Sequence, residues 1–287
     1  MDQLRDHFRS VPHLIEFSVR HFYRDRVDVM TRHPRNETFD AIDMVGAAAP
    51  PRAGGGVHPD EVQVVVELVR ALHAEGVRSV GVISPFRDQA DALEAALVTN
   101  FTAAEIDAMS LRVGTVHAFQ GGEREVVIAS LALGPDDTAG RRRFLESPNL
   151  FNVMITRARA RMIVVTSLTL SDTGLIGEYL RYAEQALAPV PGAETLEPWT
   201  RSLATELRRN GATVRESYPV GPWLLDLCVG DGDACRYLEC AVSPDGSQAH
   251  VDRHLTLMRL GWTIIDAYPS MWDGDAVRAA LELRDRT

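Results

Sequence analysis

Short apolar runs alternate with longer amphipathic segments along most of this chain, and that alternation constrains its fold more than any other feature. Four apolar runs have the length and composition of buried strands: 78–86, 111–119, 125–133 and 161–168. Three segments of ten or more residues have helical spacing: 61–76, 88–98 and 149–160. Strands joined through helices of this length form parallel sheets. The sequence therefore predicts an α/β fold whose sheet has helices on both faces.

A segment rich in proline and small residues, PVPGAETLEP at 189–198, predicts a domain boundary. The elements predicted after it are a helix at 198–210, strands near 213–218, 223–229 and 236–242, a helix at 249–260, a strand at 262–268 and a helix at 274–284. A length of 287 residues gives room for two ordinary domains. We therefore expect a first domain at 1–170, a helix with a linker at 171–194, and a smaller α/β domain at 195–287.

The charge balance of the sequence limits how it can bind a polyanion. The chain has 40 acidic side chains and 30 arginines and lysines, with a formal net charge of −10. This excess of acid excludes a generally basic surface, so a polyanion must bind a local patch. Every one of the 30 is an arginine. The lack of lysine excludes a P-loop lysine, a Schiff-base lysine and the lysine of metal-dependent nuclease motifs.

Cysteine usage and hydropathy indicate a location in the cell. Cys228, Cys235 and Cys240 lie close in sequence without forming CxxC pairs, which favours reduced thiols over a zinc site. No apolar run approaches the roughly 18 residues of a membrane span. The polar N-terminus, MDQLRDHFRS, has no apolar signal core. We therefore expect a cytoplasmic protein without a membrane partner.

Arginine is concentrated in the stretch NVMITRARAR, where Arg157, Arg159 and Arg161 occupy alternate positions. This stretch is part of one of four blocks that resemble, in order and spacing, the second RecA-like domain of superfamily 1 helicases of the Upf and Dna2 type. The blocks are HFRSVPHLIEFSVRHFY (7–23), VGVISPFRDQ (80–89), VGTVHAFQGGEREVVIAS (113–130) and NLFNVMITRARARMIVV (149–165). They resemble the aromatic-arginine block and motifs IV, V and VI of that family. Because they cover nearly all of residues 1–170, the resemblance predicts a RecA-like parallel sheet there.

The resemblance implies an ATP site that is shared with another domain. A guanidinium group stabilises a leaving γ-phosphate because its planar fork binds two phosphate oxygens and it does not lose its proton. The family pattern assigns this arginine-finger role to Arg157 and Arg9. It also implies nucleotide contacts for Phe8, which would stack on adenine, for Gln120 and Gly121, and for Glu123 near the ribose or the γ-phosphate.

Two further groups of arginines have open roles. Arg159 and Arg161 would either contact phosphate or lie on a solvated helix end. The cluster RRRF at 141–144 could also touch phosphate, but a solvated loop is the favoured interpretation.

A surface for single-stranded nucleic acid is implied where predicted strands end. Ligands of open α/β sheets bind at the carboxyl ends of the strands. The residues at these ends that match the family are Ser84, Pro85, Thr115, Val116 and His117. In the family such positions hold the nucleic-acid backbone, which gives a grip independent of base sequence. Gln120 is a candidate for coupling this surface to the nucleotide site.

A complete helicase motor needs a GxxxxGK[ST] loop for the phosphates and an acidic pair for Mg²⁺ and water activation. The sequence contains neither, and it begins about where the first RecA-like domain of the family ends. We therefore expect half of a motor, which shares ATP and Mg²⁺ with a P-loop-bearing RecA-like domain in the same protein or in trans. Such a chain should not hydrolyse ATP alone.

Residues 195–284 resemble, more weakly, the restriction-endonuclease-like fold in its small Vsr- and DUF559-like form. The match consists of Glu206 in TELRRNGATV, Asp226 in GPWLLDLCV, Glu239 in RYLECAV, and RHLTLMRLGWTIIDAYP (253–269). The resemblance implies that these three carboxylates are catalytic and that Asp226 and Glu239 bind Mg²⁺ or Mn²⁺.

The lysine position of this nuclease pattern is occupied by Ala241, and the chain has no lysine to replace it. His250, Arg236 or Arg253 could approach the site instead, although the sequence does not place them. Activity of the second domain therefore stays open.

Three functions remain compatible with the sequence. The first is the C-terminal portion of a helicase with an appended nuclease-like domain, acting on nucleic acid that we expect to be single-stranded DNA. The second is a non-catalytic module, with a degenerate nuclease fold, that binds nucleic acid or a partner. The third is a free-standing metal-dependent DNA nuclease. The preference for DNA over RNA is an analogy with other nuclease-like domains.

Overall fold

The computed structural model of the chain describes residues 6–24, 26–36, 41–49, 56–119, 121–185, 196–242 and 245–284. The strands are β1 (Asp6–His7), β2 (Asp28–Val29), β3 (Ile42–Gly46), β4 (Val80–Ser84), β5 (Arg112–Thr115), β6 (Arg124–Ser130), β7 (Ala158–Thr166), β8 (Val214–Val220), β9 (Trp223–Val229), β10 (Arg236–Glu239) and β11 (Ile264–Asp266). The α-helices are α1 (Pro12–His21), α2 (Pro59–Ala74), α3 (Arg87–Asn100), α4 (Ala103–Ala108), α5 (Ala139–Leu145), α6 (Pro148–Ile155), α7 (Gly174–Ala183), α8 (Pro198–Arg209), α9 (Ser247–Arg259) and α10 (Ala276–Arg284). None of the helices among these residues is long and apolar enough to cross a membrane.

The chain divides into two compact units. The first, which we call the parallel-sheet unit, comprises Arg9–Arg26 and Thr38–Leu187. The second, which we call the C-terminal unit, comprises Met1–Phe8, Val27–Glu37 and Ala188–Thr287. This division differs from the expected domains in two places, since two N-terminal segments group with the C-terminal unit and the helix after residue 170 groups with the parallel-sheet unit.

The parallel-sheet unit contains a five-stranded sheet in the order β3–β7–β6–β4–β5, with every neighbouring pair parallel. Successive side chains of a strand point to opposite faces. Val126 and Ile128 of β6 accordingly pack with the apolar side chains of α2 and α3. Val127 and Ala129 pack with those of α1, α6 and α7. The α/β fold with helices on both faces of a parallel sheet is confirmed.

Helix α7 belongs to this unit because its aromatic side chains complete one of the two cores. The rings of Tyr179 and Tyr182 lie 5.0 and 5.4 Å from the ring of Phe17. The Tyr182 hydroxyl also donates a hydrogen bond of 2.8 Å to the carbonyl oxygen of His13.

Three local predictions in this unit were wrong. No strand was predicted before residue 78, yet β3 is present and pairs with β7. The helix expected at 149–160 ends at Ile155, and β7 begins at Ala158, so Arg159 and Arg161 lie in a strand rather than on a helix end. The RRRF cluster lies in helix α5 rather than in a loop.

The C-terminal unit contains a four-stranded sheet in the order β11–β10–β9–β8. Strands β8, β9 and β10 are antiparallel neighbours, whereas β11 is parallel to β10. Helices α8 and α10 pack with Leu227 and Leu238 in one core. Helix α9 packs with Tyr237 in a second core. The smaller α/β domain is therefore present.

The N-terminal segments of this unit are held by contacts with the C-terminal sequence. Strand β1 pairs with β2 in parallel. Gly221, at the turn between β8 and β9, donates its N–H to the carbonyl oxygen of Val29 at 3.2 Å. The rings of His33 and Trp262 are 4.2 Å apart. These contacts explain why residues near the N-terminus do not group with the parallel sheet.

Candidate functional site

Arg157 lies in the turn between α6 and β7, where its side chain is 9 % exposed. Its Nε atom donates to the carbonyl oxygen of Val153 at 2.8 Å. One terminal nitrogen donates to Oγ1 of Thr156 at 3.2 Å. The guanidinium group is therefore held in place by its own turn.

Arg9 is brought to the same end of the sheet by hydrogen bonds from its two neighbours, Ser10 and Val11, to the backbone of β7. The Ser10 hydroxyl donates to the carbonyl oxygen of Ala158 at 2.8 Å, and the Val11 N–H donates to that of Arg159 at 2.9 Å. Arg9 Nε lies 2.7 Å from an Oε atom of Glu123, which immediately precedes β6. Arg9 and Glu123 consequently meet at the amino ends of β6 and β7, next to Arg157.

The electrostatics of this arginine cluster favour an anion. Burial lowers the pKa of Arg157, and the positive charge of Arg9 lowers it further. Glu123 and Tyr23 oppose this change. Two guanidinium groups therefore lie near a single carboxylate, and the cluster (Arg9, Glu123 and Arg157) has an excess of positive charge.

Tyr23 and Asn152 are neighbours of the cluster that the sequence analysis did not select. The Asn152 amide donates to the Tyr23 hydroxyl at 3.0 Å. Both residues lie inside the matched blocks, so their position in those blocks was the signal that could have identified them.

The other residues expected at the nucleotide differ in exposure and in the unit to which they belong. Gly121 is exposed and has a φ of +79°, a conformation that favours glycine. Gln120 lies outside the described residues. Phe8 belongs to the C-terminal unit, and its side chain is 55 % exposed.

Three of the remaining arginines of the two groups have structural partners. Arg161 lies 2.5 Å from Asp43 of β3, so it links neighbouring strands. In α5, Arg141 pairs with Asp137 at 3.1 Å and Arg142 pairs with Asp172 at 3.2 Å. Arg159 is exposed on β7.

The predicted nucleic-acid residues lie together at the carboxyl ends of β4 and β5. The Val116 N–H donates to the carbonyl oxygen of Ser84 at 3.1 Å, which joins the two strand ends. Ser84, Pro85 and Val116 are buried, Thr115 is partly buried, and His117 is exposed. His117 is therefore the side chain of this group that can reach a ligand without rearrangement.

One connecting segment links this edge of the sheet to the arginine cluster. It begins after Thr115 at the carboxyl end of β5 and ends at Glu123, at the amino end of β6. Its buried Phe119 lies beneath the guanidinium group of Arg112, at 4.9 Å from the ring centre.

A buried carboxyl group lies at the carboxyl end of β6. Glu61 is fully buried, and one of its Oε atoms accepts from the Ser130 hydroxyl at 2.6 Å and from the Ala132 N–H at 2.9 Å. Gln89 donates to the same Ser130 oxygen at 2.9 Å. His58 Nε2 is 3.9 Å from the other Glu61 oxygen. Burial raises the pKa of Glu61 to about 7, although the two hydrogen bonds act in the opposite direction.

This pKa predicts that the unit loses stability as the pH rises. The folded protein holds a proton on Glu61 up to about pH 7, whereas the unfolded chain releases it near 4.5. The free energy of unfolding should therefore fall by about 3 kcal/mol between pH 4.5 and 7 and then level off. Glu61→Gln, which imitates the protonated acid, should remove this slope.

The measurement is urea unfolding followed by circular dichroism at several pH values. The wild-type protein and Glu61→Gln should have similar stability at pH 5, and the variant should be more stable at pH 8. Glu67→Gln on the exposed face of the same helix is the control. A parallel pH dependence of the wild type and Glu61→Gln would contradict the assignment.

In the C-terminal unit, Glu239 is the centre of a second polar cluster. It is fully buried at the end of β10. Arg253 of α9 donates to one carboxylate oxygen. The other oxygen lies 2.5 Å from Nε2 of His254 and accepts from the Tyr268 hydroxyl at 2.9 Å. His250 Nε2 is 3.5 Å from that same oxygen.

The cluster keeps Glu239 ionised. Burial alone would raise the pKa of Glu239, but the hydrogen bonds from Tyr268 and His254, with the charges of His254 and Arg253, lower it overall. A carboxylate in this setting can neutralise a cation or accept a proton from a neighbouring imidazole.

Asp226 lies on β9, the strand next to Glu239. One carboxylate oxygen of Asp226 accepts from the N–H groups of Cys240 and Ala241 at 2.8 and 3.3 Å. Burial raises its pKa, and the two hydrogen bonds and the charge of Arg253 oppose that change. Asp226 and Glu239 are thus neighbours, as the resemblance implied, while Glu206 forms an ion pair with Arg209 at 2.5 Å.

Among the described residues, Glu239, His250 and His254 have ligand atoms within 4.8 Å of one another. His250 was among the residues that the sequence indicated near the site, whereas His254 was not. The signal was available, because residues four apart on a helix lie on the same face.

A five-stranded parallel sheet between two layers of helices is the architecture of a RecA-like domain. A family model described as "AAA domain" matches residues 1–169, more than half of the chain, and the chain belongs to that family.

Several curated proteins that match the chain are named as helicases. The 5'-3' DNA helicase ZGRF1 of Mus musculus is 28 % identical over 61 % of this chain and 9 % of its own length. The RNA helicase Mov10l1 of Homo sapiens is 36 % identical over 30 % of this chain and 7 % of its own length. Helicase SEN1 of Saccharomyces cerevisiae is 24 % identical over 55 % of this chain and 8 % of its own length. The chain spans less than a third of the length of the curated relatives it matches.

Proposed function

We propose that the chain is the C-terminal portion of a superfamily 1 helicase, and that Arg9 and Arg157 contact an ATP held mainly by a P-loop-bearing RecA-like domain. The observation that carries the proposal is the arginine cluster, in which two guanidinium groups lie beside the single carboxylate of Glu123. An excess of positive charge at the amino ends of β6 and β7 is suited to a polyphosphate.

The residues present fit the phosphates of ATP, whereas Mg²⁺ would be held by the P-loop-bearing domain. The Arg157 guanidinium is desolvated and fixed by its turn, which makes it a preorganised donor for a phosphate oxygen. Arg9 is 44 % exposed, so it can leave Glu123 for a stronger anion. Bound Mg²⁺ would neutralise charge on the phosphates, which is chemistry that these arginines complete rather than replace. We further propose that Phe8 stacks on the adenine and that Gln120, Gly121 and Glu123 lie near the nucleotide.

The nucleic-acid surface is proposed at the carboxyl ends of β4 and β5, where Ser84, Pro85, Thr115, Val116 and His117 lie. Most of these side chains are buried, so contact would depend on the exposed His117 and on main-chain groups after small movements. We propose single-stranded DNA as the ligand. The names of the relatives include both DNA and RNA helicases, so an RNA strand of the same length is the necessary comparison.

The test is ATP hydrolysis with and without a P-loop-bearing RecA-like domain of the same family. The chain alone should not hydrolyse ATP, since its sequence contains neither a P-loop nor an acidic Mg²⁺ pair. The two parts together should hydrolyse ATP in a reaction stimulated by single-stranded DNA. Hydrolysis by the purified chain alone would contradict the proposal. The proposal would also be contradicted if the chain and the P-loop-bearing domain associate but do not hydrolyse ATP.

A metal-dependent nuclease in the C-terminal unit is the second candidate. It is favoured by the neighbouring positions of Asp226 and Glu239 on β9 and β10. Cleavage of DNA with Mg²⁺ or Mn²⁺ that is lost in Asp226→Ala would support it. If neither the wild-type chain nor Asp226→Ala cleaves DNA, the result would favour a binding module with a degenerate site, in agreement with Ala241 at the lysine position.

A further inference from the structure

Two histidines of α9 converge on the carboxylate of Glu239. His250 and His254 are four residues apart, so their side chains share one face of the helix. Their rings are 4.4 Å apart. Their Nε2 atoms lie 3.5 and 2.5 Å from the same Glu239 oxygen. Two imidazoles and one carboxylate are thus directed at one small volume.

We infer that Glu239, His250 and His254 form a binding site for a divalent transition-metal ion of the zinc class. Imidazole nitrogen is a ligand for Zn²⁺, Co²⁺, Ni²⁺ and Cu²⁺, whereas Mg²⁺ takes oxygen ligands almost alone. The site shares Glu239 with the paired carboxylates of the nuclease-like pattern, but two histidines take the place of Asp226 and favour a different metal. The inference concerns the C-terminal unit and does not depend on the proposed helicase function.

The distances are close to those that such an ion requires. Two ligands bonded at about 2.0–2.1 Å in a tetrahedron lie about 3.3 Å apart. The separation between His250 and the Glu239 oxygen, 3.5 Å, already agrees with that value. The His254 separation, 2.5 Å, is that of a hydrogen bond. An ion can replace the shared proton if these two side chains move apart by a little under 1 Å.

The carboxylate is held by groups that would act as supporting contacts for the ion. Arg253 donates to the Glu239 oxygen that does not face the histidines, and Tyr237 lies 3.4 Å from that oxygen. Tyr268 donates to the oxygen that faces them. Such outer contacts orient a metal ligand and raise metal affinity.

His254 also lines an open cleft of about 460 Å³. The other residues that line it are Met258, Trp262, Thr263, Ile264 and Asp266. Three protein ligands leave the fourth tetrahedral position for water or a small ligand, which is the arrangement of an accessible site rather than of a closed structural one. The cleft beside His254 provides the path by which the ion would enter.

The test is titration of the metal-free, untagged protein with Co²⁺, followed by visible absorption. Tetrahedral Co²⁺ bound by nitrogen and oxygen should give d–d bands, and one equivalent of Zn²⁺ should abolish them, whereas excess Mg²⁺ should not. The absence of a near-ultraviolet sulfur-to-metal band will distinguish this site from one that uses Cys240.

His250→Ala and His254→Ala should each weaken Co²⁺ binding by at least about 100-fold, because even an outer contact is worth 10–100-fold. His73→Ala, a histidine of helix α2, is the matched control and should bind Co²⁺ as the wild type does. Tryptophan fluorescence will show that the C-terminal unit of each variant is folded.

Three results would overturn the inference: no d–d bands in the wild type, equal bands in both histidine variants, or displacement of Co²⁺ by Mg²⁺. The last result would assign the cluster to an oxygen-ligand site around Asp226 and Glu239.

Discussion

Arg157→Ala should reduce ATP turnover by about 10³-fold or more when the chain is paired with a P-loop-bearing domain. Of the two guanidinium groups of the cluster, the variant removes the one that is already desolvated and fixed by its own turn. Such a preorganised charge acts mainly on the transition state, because negative charge develops on the phosphoryl oxygens only during the reaction. The loss should therefore be found in kcat, with a much smaller change in the KM for ATP.

Two further variants make this prediction sharper. Arg157→Lys retains the charge but cannot form the bidentate fork, so most of the loss should persist. Arg70→Ala on the exposed face of α2 removes an arginine of the same unit far from the cluster in sequence and should leave turnover unchanged. Steady-state ATP hydrolysis at saturating single-stranded DNA gives all three values. Unchanged kcat in Arg157→Ala would exclude the arginine-finger assignment.

Arg9→Ala in the same assay tests whether the two arginines act together. Arg9 is more exposed and is held by Glu123, so its loss should cost less than the loss of Arg157. Because the two groups would contact one phosphate, the double variant should be less impaired than the product of the two single effects.

The alternation of apolar runs with helices was enough to predict the parallel sheet, because a buried strand and an amphipathic helix have different local periods. Strand β3 could not be predicted in this way. Its sequence, IDMVG, includes Asp43, and it becomes a strand because it pairs with β7 and because Arg161 neutralises that carboxylate. These are long-range interactions that a local pattern does not contain.

In the segment TRARA (156–160), the local pattern predicted a helix where the structure has the start of a strand. Alanine and arginine favour helix, so the predicted helix was extended through residue 160. In the structure, Arg157 leaves the helix, and the following residues pair with β6 and accept a hydrogen bond from Val11. Tertiary pairing overrides local preference at the point where the candidate arginine finger lies.

The site around Glu239 was only partly predictable. Its position on a strand beside Asp226 followed from the resemblance, whereas the partners of its carboxylate did not. They come from α9 and from Tyr268, which is 29 residues further along the chain. Sequence spacing indicated that His250 and His254 share a face, but only the fold shows that this face is directed at Glu239.

Arg253→Ala should lower the free energy of unfolding of the C-terminal unit by about 3 kcal/mol, because it leaves a buried carboxylate without its main counter-ion. Glu239 has no exposed surface, and Arg253 is itself 9 % exposed. Water therefore cannot replace the lost charge. All four tryptophans of the chain (Trp199, Trp223, Trp262 and Trp272) belong to this unit, so urea unfolding followed by tryptophan fluorescence reports on it selectively.

The double variant Glu239→Gln, Arg253→Met distinguishes charge from packing. If the cost of Arg253→Ala comes from the unpaired carboxylate, removing both charges should recover more than half of it, since a buried ion pair replaced as a unit is nearly neutral for stability. Arg209→Ala breaks the exposed pair with Glu206 and should change stability by no more than about 0.5 kcal/mol. Equal losses in the single and double variants would instead assign the effect to the packing of the Arg253 side chain. In that case Glu239 would not require a cation for folding, and its fixed geometry would have to be explained by the hydrogen bonds of Tyr268 and His254 alone.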